Sequence, residues 1–586
     1  MFRRSAIIII LGFLSFAAML PAPFRVMDDR LSIVDNPTIQ SFHHIPRIFH
    51  EGYFHDQSYY RPLISLSFMA EYHAYKFNSF FYNLDNLILH ILNALLVFLL
   101  VMRLTKSVSI GFWTGLLFAI HPIQWEAVCN IQGRAILLSA FFVLNSFILF
   151  IEFYKSRQFY CLGGSLILFF LGLLCKESTA VLPLVILAFL TQDKFLSWFQ
   201  RIKYIGPFLI ALIGYFFIRV HVGIIAREQI NQSREVLLAF ITFLTSVVTD
   251  LRLFILPIDL HLDRCLPVIK GLGQPMSIMI CLFWLAILGG VIFCFRKINS
   301  LIMFLLLWFC IELIPVSQLL ASIQVGVGHI STAEHFLYLV SIPVLIGIVL
   351  SYQKILEINM KMNFTKPVFL RLIAGAFMVF LFLTAVEQSI YASNEFNMVT
   401  RSLSFEPNNP RLQGVLGMLF IYKNDIPDAK IHFQEAIKIE PFNPTYHIKL
   451  GTILCQQGKW IEGLAQFVVY DPGQEKDEVL RQEALTMIHI RQQIAQGVTF
   501  GARGWLTIGI EEAQNHHIDE AIDAFLKSVQ INPSQSDAWL NLGSLYEVKQ
   551  NWPLAKGAFQ KLLGIHNLTP FQKDFALKHL SALEHR

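Results

Sequence analysis

Eleven apolar stretches crowd into the first 390 residues of this 586-residue chain, at 5–23, 84–102, 108–121, 134–153, 159–175, 178–192, 203–220, 275–295, 299–316, 336–352 and 367–388. A bilayer's hydrocarbon core, about 30 Å thick, takes a helix of roughly 20 residues, fewer or more with tilt. Lipid offers no partner to a bare backbone amide, so a continuous apolar run of that length must pair its own N–H and C=O groups as a helix. An all-α, polytopic bundle of about eleven spans over 1–390 is therefore expected. After residue 400 the sequence is polar with intermittent hydrophobics, predicting a soluble region at 410–586 joined by a linker at 391–409. With 55% hydrophobic and 15% charged residues, the composition excludes an ordinary water-soluble protein, and a net charge of +5 over this length gives no basis for nucleic-acid binding. The eight cysteines are scattered without CxxC spacing, which argues against a metal cluster or disulfide framework.

Loop charge sets the sidedness. Eleven spans place Arg3, Arg4, Arg103, Lys106, Lys155, Arg157, Lys194, Arg201, Lys203, Arg296, Lys297, Lys354, Lys361 and Lys366 on one side, with few acids among them, chiefly Asp193 and Glu357. Basic loops face the cytoplasm, so the N-terminus is expected inside and the soluble region outside. A further stretch at 237–256 carries Asp250 and Arg252. Counting it as a span reverses the charge bias downstream, so it reads as an interfacial or re-entrant helix on the outer face. The first stretch reads as an uncleaved anchor, because MLPAPF (19–24) lacks a clean small-x-small site.

From Pro410 a pattern of about 34 residues recurs, the period of a tetratricopeptide repeat. Copies are expected near 410–443 (Leu416-Gly417, Phe420, Ala429, Phe433, Ala436, Pro441), 444–475 (Leu450-Gly451, Phe467), 502–535 (Trp505, Gly509, Ala521, Phe525, Pro533) and 536–569 (Trp539, Leu542-Gly543, Tyr546, Ala555, Phe559). Residues 476–500 read as an atypical helical hairpin. Stacked repeats form an α-solenoid whose concave face holds an extended peptide, or else serves as a rigid spacer.

Polar residues gather in the segments assigned to the outer face. Asp28 and Asp29 follow the first stretch at once; His121, Glu126 and Arg134 surround the loop after the third; Lys176-Glu177 tip a tight hairpin; Glu334-His335 precede a span; Arg61 closes the first long loop. Each has a bland reading: a helix flank for the acid pair, turn residues for Lys176-Glu177, a helix end for His121, a loop cap for Arg61. Together, cations at one membrane face suit a phosphate whose lipid tail stays in the bilayer, and a carboxylate beside them suits removal of a proton from an attacking hydroxyl.

Six blocks in order, FRVMDDRLSIVDNPTI (24–39), YYRPLISLSF (59–68), FYNLDNLILHILNALL (81–96), LFAIHPIQWEAVCNIQGRAILLSA (117–140), LLCKESTAVLPL (173–184) and AEHFLYLVSIP (333–343), followed by the repeats, resemble the transmembrane and tetratricopeptide repeat-containing O-mannosyltransferase-like family, within the GT-C class of polytopic glycosyltransferases. The resemblance implies a polyprenyl- or dolichyl-phosphate-linked, mannose-like sugar as donor. It further implies a hydroxyl acceptor, typically Ser or Thr of a protein, and an inverting reaction with the acid pair Asp28-Asp29 at its centre. Asp28 or Asp29 is then the base, with Asp28 favoured by the family's pattern. Arg61, His121, Glu126, Arg134, Lys176, Glu177, Glu334 and His335 are the candidates for donor phosphate and sugar. The chain departs from the family at His335, commonly Arg, and at Phe336, commonly Tyr; LPIDLHLDRCLP (256–267) matches only loosely. No cofactor is required, although a divalent metal on the acid pair is conceivable. The expected setting is a bacterial inner membrane with the repeats in the periplasm, the alternative being the endoplasmic reticulum with luminal repeats. The rival function is a non-catalytic, membrane-anchored repeat scaffold for envelope protein assembly. It explains the repeats but not the outward charges.

Overall fold

The computed structural model describes all residues except Met27, 54–58, 224–235, 295–298, 318–327, 363–366, Phe442, 458–465, 467–501, 515–516, 566–567, Thr569 and 585–586. Phe467, the second half of the second expected repeat and the 476–500 hairpin thus lie outside the described residues. Among the described residues the chain is all-α apart from one two-stranded ribbon. It forms two compact units, Met1–Ile453 and Leu454–Arg586.

Among the described residues seven helices are long and apolar enough to cross a membrane: Phe2–Met19, Ser79–Thr105, Ile131–Ser156, Trp198–His221, Val236–Ile255, Ser341–Met360 and Pro367–Ala392. Five more of the expected stretches form shorter apolar helices, Val108–Ile120, Phe159–Leu173, Glu177–Leu190, Pro275–Gly290 and Ser300–Leu313. Local chemistry sets several ends. Asn78 and Ser107 accept the first free N–H groups of the helices they precede, while Lys106 and Arg157 turn left-handed to stop Ser79–Thr105 and Arg134–Ser156.

The helix Val236–Ile255 has span length, and several of its polar contacts run to connecting loops. Thr242 Oγ1 accepts the Ile269 N–H at 3.1 Å, and the Phe254 carbonyl lies 3.1 Å from His121 Nε2. Asp250, between them, lines a small cavity with Ser331, Thr332 and Ala333. By length and composition the helix still counts among those able to cross a membrane. The same loops carry the ribbon, in which Cys265–Pro267 pairs antiparallel with His329–Ser331. The pairing brings the 259–264 segment against Glu334.

The ends of the first unit meet. Met19 donates its N–H to Ser389 Oγ (2.9 Å), Ser389 donates to the Phe16 carbonyl (2.8 Å), and Val26 donates its N–H to Glu395 Oε2 (2.9 Å). The expected linker is largely a helix, Glu395–Phe405, because Met398 and Val399 bury an apolar stripe against the bundle. The next helix, Pro410–Tyr422, adds Leu412, Leu416 and Leu419 to the same core as Ile8 and Phe16. The first repeat therefore belongs to the membrane unit, and the compact boundary falls after residue 453 rather than near 400.

The repeat chemistry is visible in the helix pairs. A side chain at Gly417 would collide with the ring of Phe433, one at Gly509 with Phe525, and one at Gly543 with Phe559. The same glycine–phenylalanine contact thus closes Pro410–Tyr422 on Ile426–Ile439, Ala502–Gln514 on Ile518–Ile531, and Ser536–Val548 on Trp552–Leu563. A last helix, Pro570–Glu584, packs Phe575 and His579 against Phe559.

Candidate functional site

The two acids after the first helix have opposite fates. Asp29 is 1% exposed and both its oxygens are engaged: Oδ2 accepts the Arg25 N–H at 2.9 Å and Oδ1 accepts from Gln132 Nε2 at 3.3 Å. Burial pushes its pKa up to about 6, against the pull of these donors and of Arg25. Asp28 is half-buried, and among the described residues its carboxylate accepts no hydrogen bond. Burial raises its pKa as well, opposed first by Arg411, then by Arg25 and His335, with Asp263 adding to the rise. A carboxylate withdrawn from water without a partner is costly, and such a group is available to a ligand.

Around Asp28 the charges form a connected set. His335 Nδ1 lies 2.8 Å from Glu126 Oε1, and its backbone N–H donates to Glu126 Oε2 at 2.9 Å. Burial would raise the Glu126 pKa, but the His335 contacts hold it below the usual range. Lys176 follows the helix Phe159–Leu173, and its ammonium has no hydrogen-bond partner among the described residues. Burial first, then the neighbouring Arg61 cation, lower its pKa to about 7, against the pull of Glu177 and Glu126. Arg61 donates from Nε (3.3 Å) and Nη2 (3.0 Å) to Glu177 Oε2 and lies 4.3 Å over the Tyr59 ring. Glu177 Oε1 is buried with no partner. Tyr53 donates to Gln132 Oε1 at 2.7 Å and lies within electrostatic reach of Arg61, Asp28 and Asp29, joining the two halves.

Three candidates sit apart from this open set. Arg134 is buried, donating to Asn86 Oδ1 (2.6 Å), the Tyr82 carbonyl (3.0 Å) and Glu71 Oε1. His121 caps a short turn: its Nδ1 accepts the Ile123 N–H at 3.2 Å and its other ring nitrogen meets the Phe254 carbonyl. Glu334 is fully buried, holding Arg264 at 2.9 Å, the His261 N–H at 3.2 Å and the Trp125 indole N–H. Each has its bonding capacity consumed inside the protein.

Sequence reasoning passed over Arg25, Asp263, Arg264 and Arg411. The signal for two of them was present in DLHLDR (259–264), a charge-dense string between apolar residues, where Asp259 and Asp263 both adopt left-handed backbone with φ of 60° and 54°. Such conformations cost energy in non-glycine residues and cluster at functional sites. Among the described residues no three His, Cys, Asp or Glu side chains gather in a way that would hold a metal ion.

The fold and site define a multi-pass, all-α membrane protein that carries tetratricopeptide repeats and an open cluster of charged groups beside one unpartnered carboxylate. No protein-family model matches the chain. It is similar to the human protein O-mannosyl-transferase TMTC3, with 23% identity over 95% of this chain and 64% of that protein. The Caenorhabditis elegans protein O-mannosyl-transferase F38B6.6 matches at 31% over 30% of this chain and 26% of its own length, and human TMTC1 at 37% over 18% and 12%. The chain is thus similar to proteins named protein O-mannosyl-transferases. It spans less than two thirds of the length of these relatives. Solved repeat structures align weakly, the P58(IPK) TPR domain at 11% identity over 76% of this chain and 98% of that one with a TM-score of 0.17. The repeat assignment rests on the helix pairs described above.

Proposed function

We propose that the protein is a GT-C-type glycosyltransferase that moves a mannose-like sugar from a polyprenyl- or dolichyl-phosphate donor to a Ser or Thr hydroxyl of a protein, on the extracytoplasmic face. The observation that carries this reading is Asp28: a half-buried carboxylate without a hydrogen-bond partner among the described residues, in the electrostatic field of Arg411, Arg25 and His335, the last of them paired to the Glu126 that also acts on Lys176. The relatives' names agree with the transfer chemistry.

Asp28 acts as general base. A neutral hydroxyl is a weak nucleophile, and a carboxylate within hydrogen-bond reach removes its proton as the oxygen attacks the anomeric carbon, an effect of roughly 10²–10⁴-fold. The C–O bond to phosphate breaks as the new one forms, so the anomeric configuration inverts. The departing lipid phosphate needs compensation for its negative charge rather than a proton. Lys176 supplies an unpaired cation there, and Arg61, held by Glu177, supplies a second. Glu126 and His335 face the sugar, and Asp29 fixes the loop that presents Asp28. The repeats beyond the first hold the acceptor chain.

The test is direct. Purified protein is incubated with labelled polyprenyl-phosphate mannose and a Ser/Thr peptide, and released lipid phosphate and glycopeptide are counted. Release in wild type and its loss in Asp28→Asn are expected. Full transfer by the Asn variant places the base elsewhere.

A further inference from the structure

The helix Val236–Ile255 carries a carboxylate that its surroundings leave unsatisfied. Asp250 is 7% exposed, and among the described residues no donor reaches it. It lines a cavity of about 20 Å³ together with Ser246, one turn earlier on the same helix, Ser331 and Thr332 at the end of the ribbon, and the rings of Phe243 and Phe336. Two of the neighbouring hydroxyls are spent on carbonyls: Ser246 donates to Phe243 (2.8 Å) and Thr332 to Arg264 (3.5 Å). Arg264, whose carbonyl also accepts the Thr332 N–H at 2.8 Å, commits its guanidinium to Glu334 (2.9 Å) and to the Asp259 carbonyl (2.7 Å).

A buried carboxylate without a donor is costly, and a ligand's hydroxyl brings the donor the cavity lacks. The space admits one water-sized group, so the ligand enters by a substituent while its body stays outside. Aromatic walls beside one charged acceptor suit a ligand with apolar faces and a precisely placed hydroxyl. The cavity also touches the site already described. The Phe336 ring packs edge-on against the His335 ring, 4.5 Å between centroids, and His335 Nδ1 lies 2.8 Å from Glu126 Oε1. We propose that the Asp250 cavity receives the primary hydroxyl of the transferred hexose, its hydroxymethyl group, and that Asp250 is a specificity-determining residue for the sugar. Ring hydroxyls sit flush with the ring, whereas the hydroxymethyl stands off it by one carbon and reaches into a recess built for one group.

This inference rests on the glycosyltransferase reading and bears on the choice of donor. With a hexose bound, the hydroxymethyl donates to the Asp250 carboxylate, a charge-assisted bond. A 6-deoxyhexose places a methyl group against the same carboxylate and leaves it unpaired, so the cavity selects against the deoxy sugar.

The experiment sets polyprenyl-phosphate mannose against polyprenyl-phosphate 6-deoxymannose in one mixture, with full-length protein and a Ser/Thr peptide, and reads the ratio of the two kcat/KM values. That ratio does not depend on how much of the protein is folded, so a purely structural residue leaves it unmoved. Wild type is expected to favour mannose roughly 10–100-fold. Asp250→Ala should bring the ratio to within about twofold of unity, and Ser246→Val, which fills the recess and keeps the acid, should do the same. A wild-type ratio near unity overturns the proposal and leaves the recess to water. A ratio unchanged in Asp250→Ala, or in Ser246→Val where the alanine variant transfers nothing, overturns it as well. A wild type blind to the donor whose preference between Ser and Thr peptides shifts in Asp250→Ala assigns the hydroxyl to the acceptor, against the proposal. Wild type that transfers neither sugar overturns the glycosyltransferase reading itself, whereas wild type that transfers both alike overturns only the role of Asp250.

Discussion

Arg134 and Asp28 lie in the same unit, and each is a charge taken largely out of water. Arg134 has a carboxylate from Glu71, an amide oxygen from Asn86 and a backbone carbonyl from Tyr82 arranged around its guanidinium, and it is 2% exposed. Asp28 has cations near it but no donor on it. The contrast separates charges that hold the protein together from charges the protein holds ready. A buried ion whose bonds are all made internally is costly to disturb and has nothing to offer a ligand. One left half-satisfied costs stability as it stands, and that deficit is what a substrate can relieve.

The sharpest way to break this comparison is to remove Arg134. Arg134→Ala strands the Glu71 carboxylate in an apolar setting, and a loss of about 3–5 kcal/mol in stability is expected, read as loss of folded protein after detergent extraction. A well-folded Arg134→Ala protein with weakened donor binding would move Arg134 into the open cluster. Next in size is Asp28→Asn, with transfer down roughly 10²-fold, about 2.7 kcal/mol in barrier, at unchanged thermal stability. Asp29→Asn should invert that split, with a modest rate loss and a lower melting temperature, because Asp29 secures the Arg25 amide and Gln132. Equal, purely kinetic losses in both would erase the distinction between the two acids.

Lys176 gives a smaller and pH-dependent effect. With its pKa lowered to about 7, the free site holds the cation below neutrality and loses it above, so affinity for a phosphate-bearing lipid falls as pH rises through 7. Lys176→Arg, charged throughout, should flatten that fall, and Lys176→Ala should weaken binding roughly tenfold at pH 6 and little at pH 9. A wild-type affinity independent of pH between 6 and 9 would remove Lys176 from the phosphate. The smallest effect is expected from truncation after residue 453. It removes the second compact unit, so turnover of a short soluble acceptor should stay within about twofold while transfer to a folded protein acceptor drops. Truncation before 410 is not equivalent, because it deletes the helix Pro410–Tyr422 with its core leucines.

How much of this was legible depends on distance along the chain. Spans, repeats and the acid pair are local patterns, since hydrophobic run length, the repeat period and adjacent carboxylates can each be read within a window. Lys176-Glu177, at the tip of an apolar hairpin, and Arg61, at the close of the first long loop, are local patterns of the same kind. The pairings were not. Arg134 looks like a phosphate ligand until Glu71 is placed beside it, and Arg411 looks like a surface residue of a repeat until Asp263, 148 positions away, closes on it. The division into compact units is hard to read from composition for a related reason. Composition turns polar near 400, but Leu412, Leu416 and Leu419 face the membrane unit's core, a fact that composition averages away.

The hydrogen bonds from Met19 to Ser389 and from Val26 to Glu395 join positions 370 and 369 apart. A chain made from its N-terminus inserts its first helix and acid pair long before their partners leave the ribosome. The loop bearing Asp28 therefore waits, unlocked, while the intervening helices enter the membrane, and is fixed only when the last long apolar helix and the helix after it arrive. Biogenesis intermediates stalled anywhere before residue 395 would carry the acids without the contacts that fix their loop. The acid pair is thereby fixed in place only late in assembly, after the intervening helices have been made.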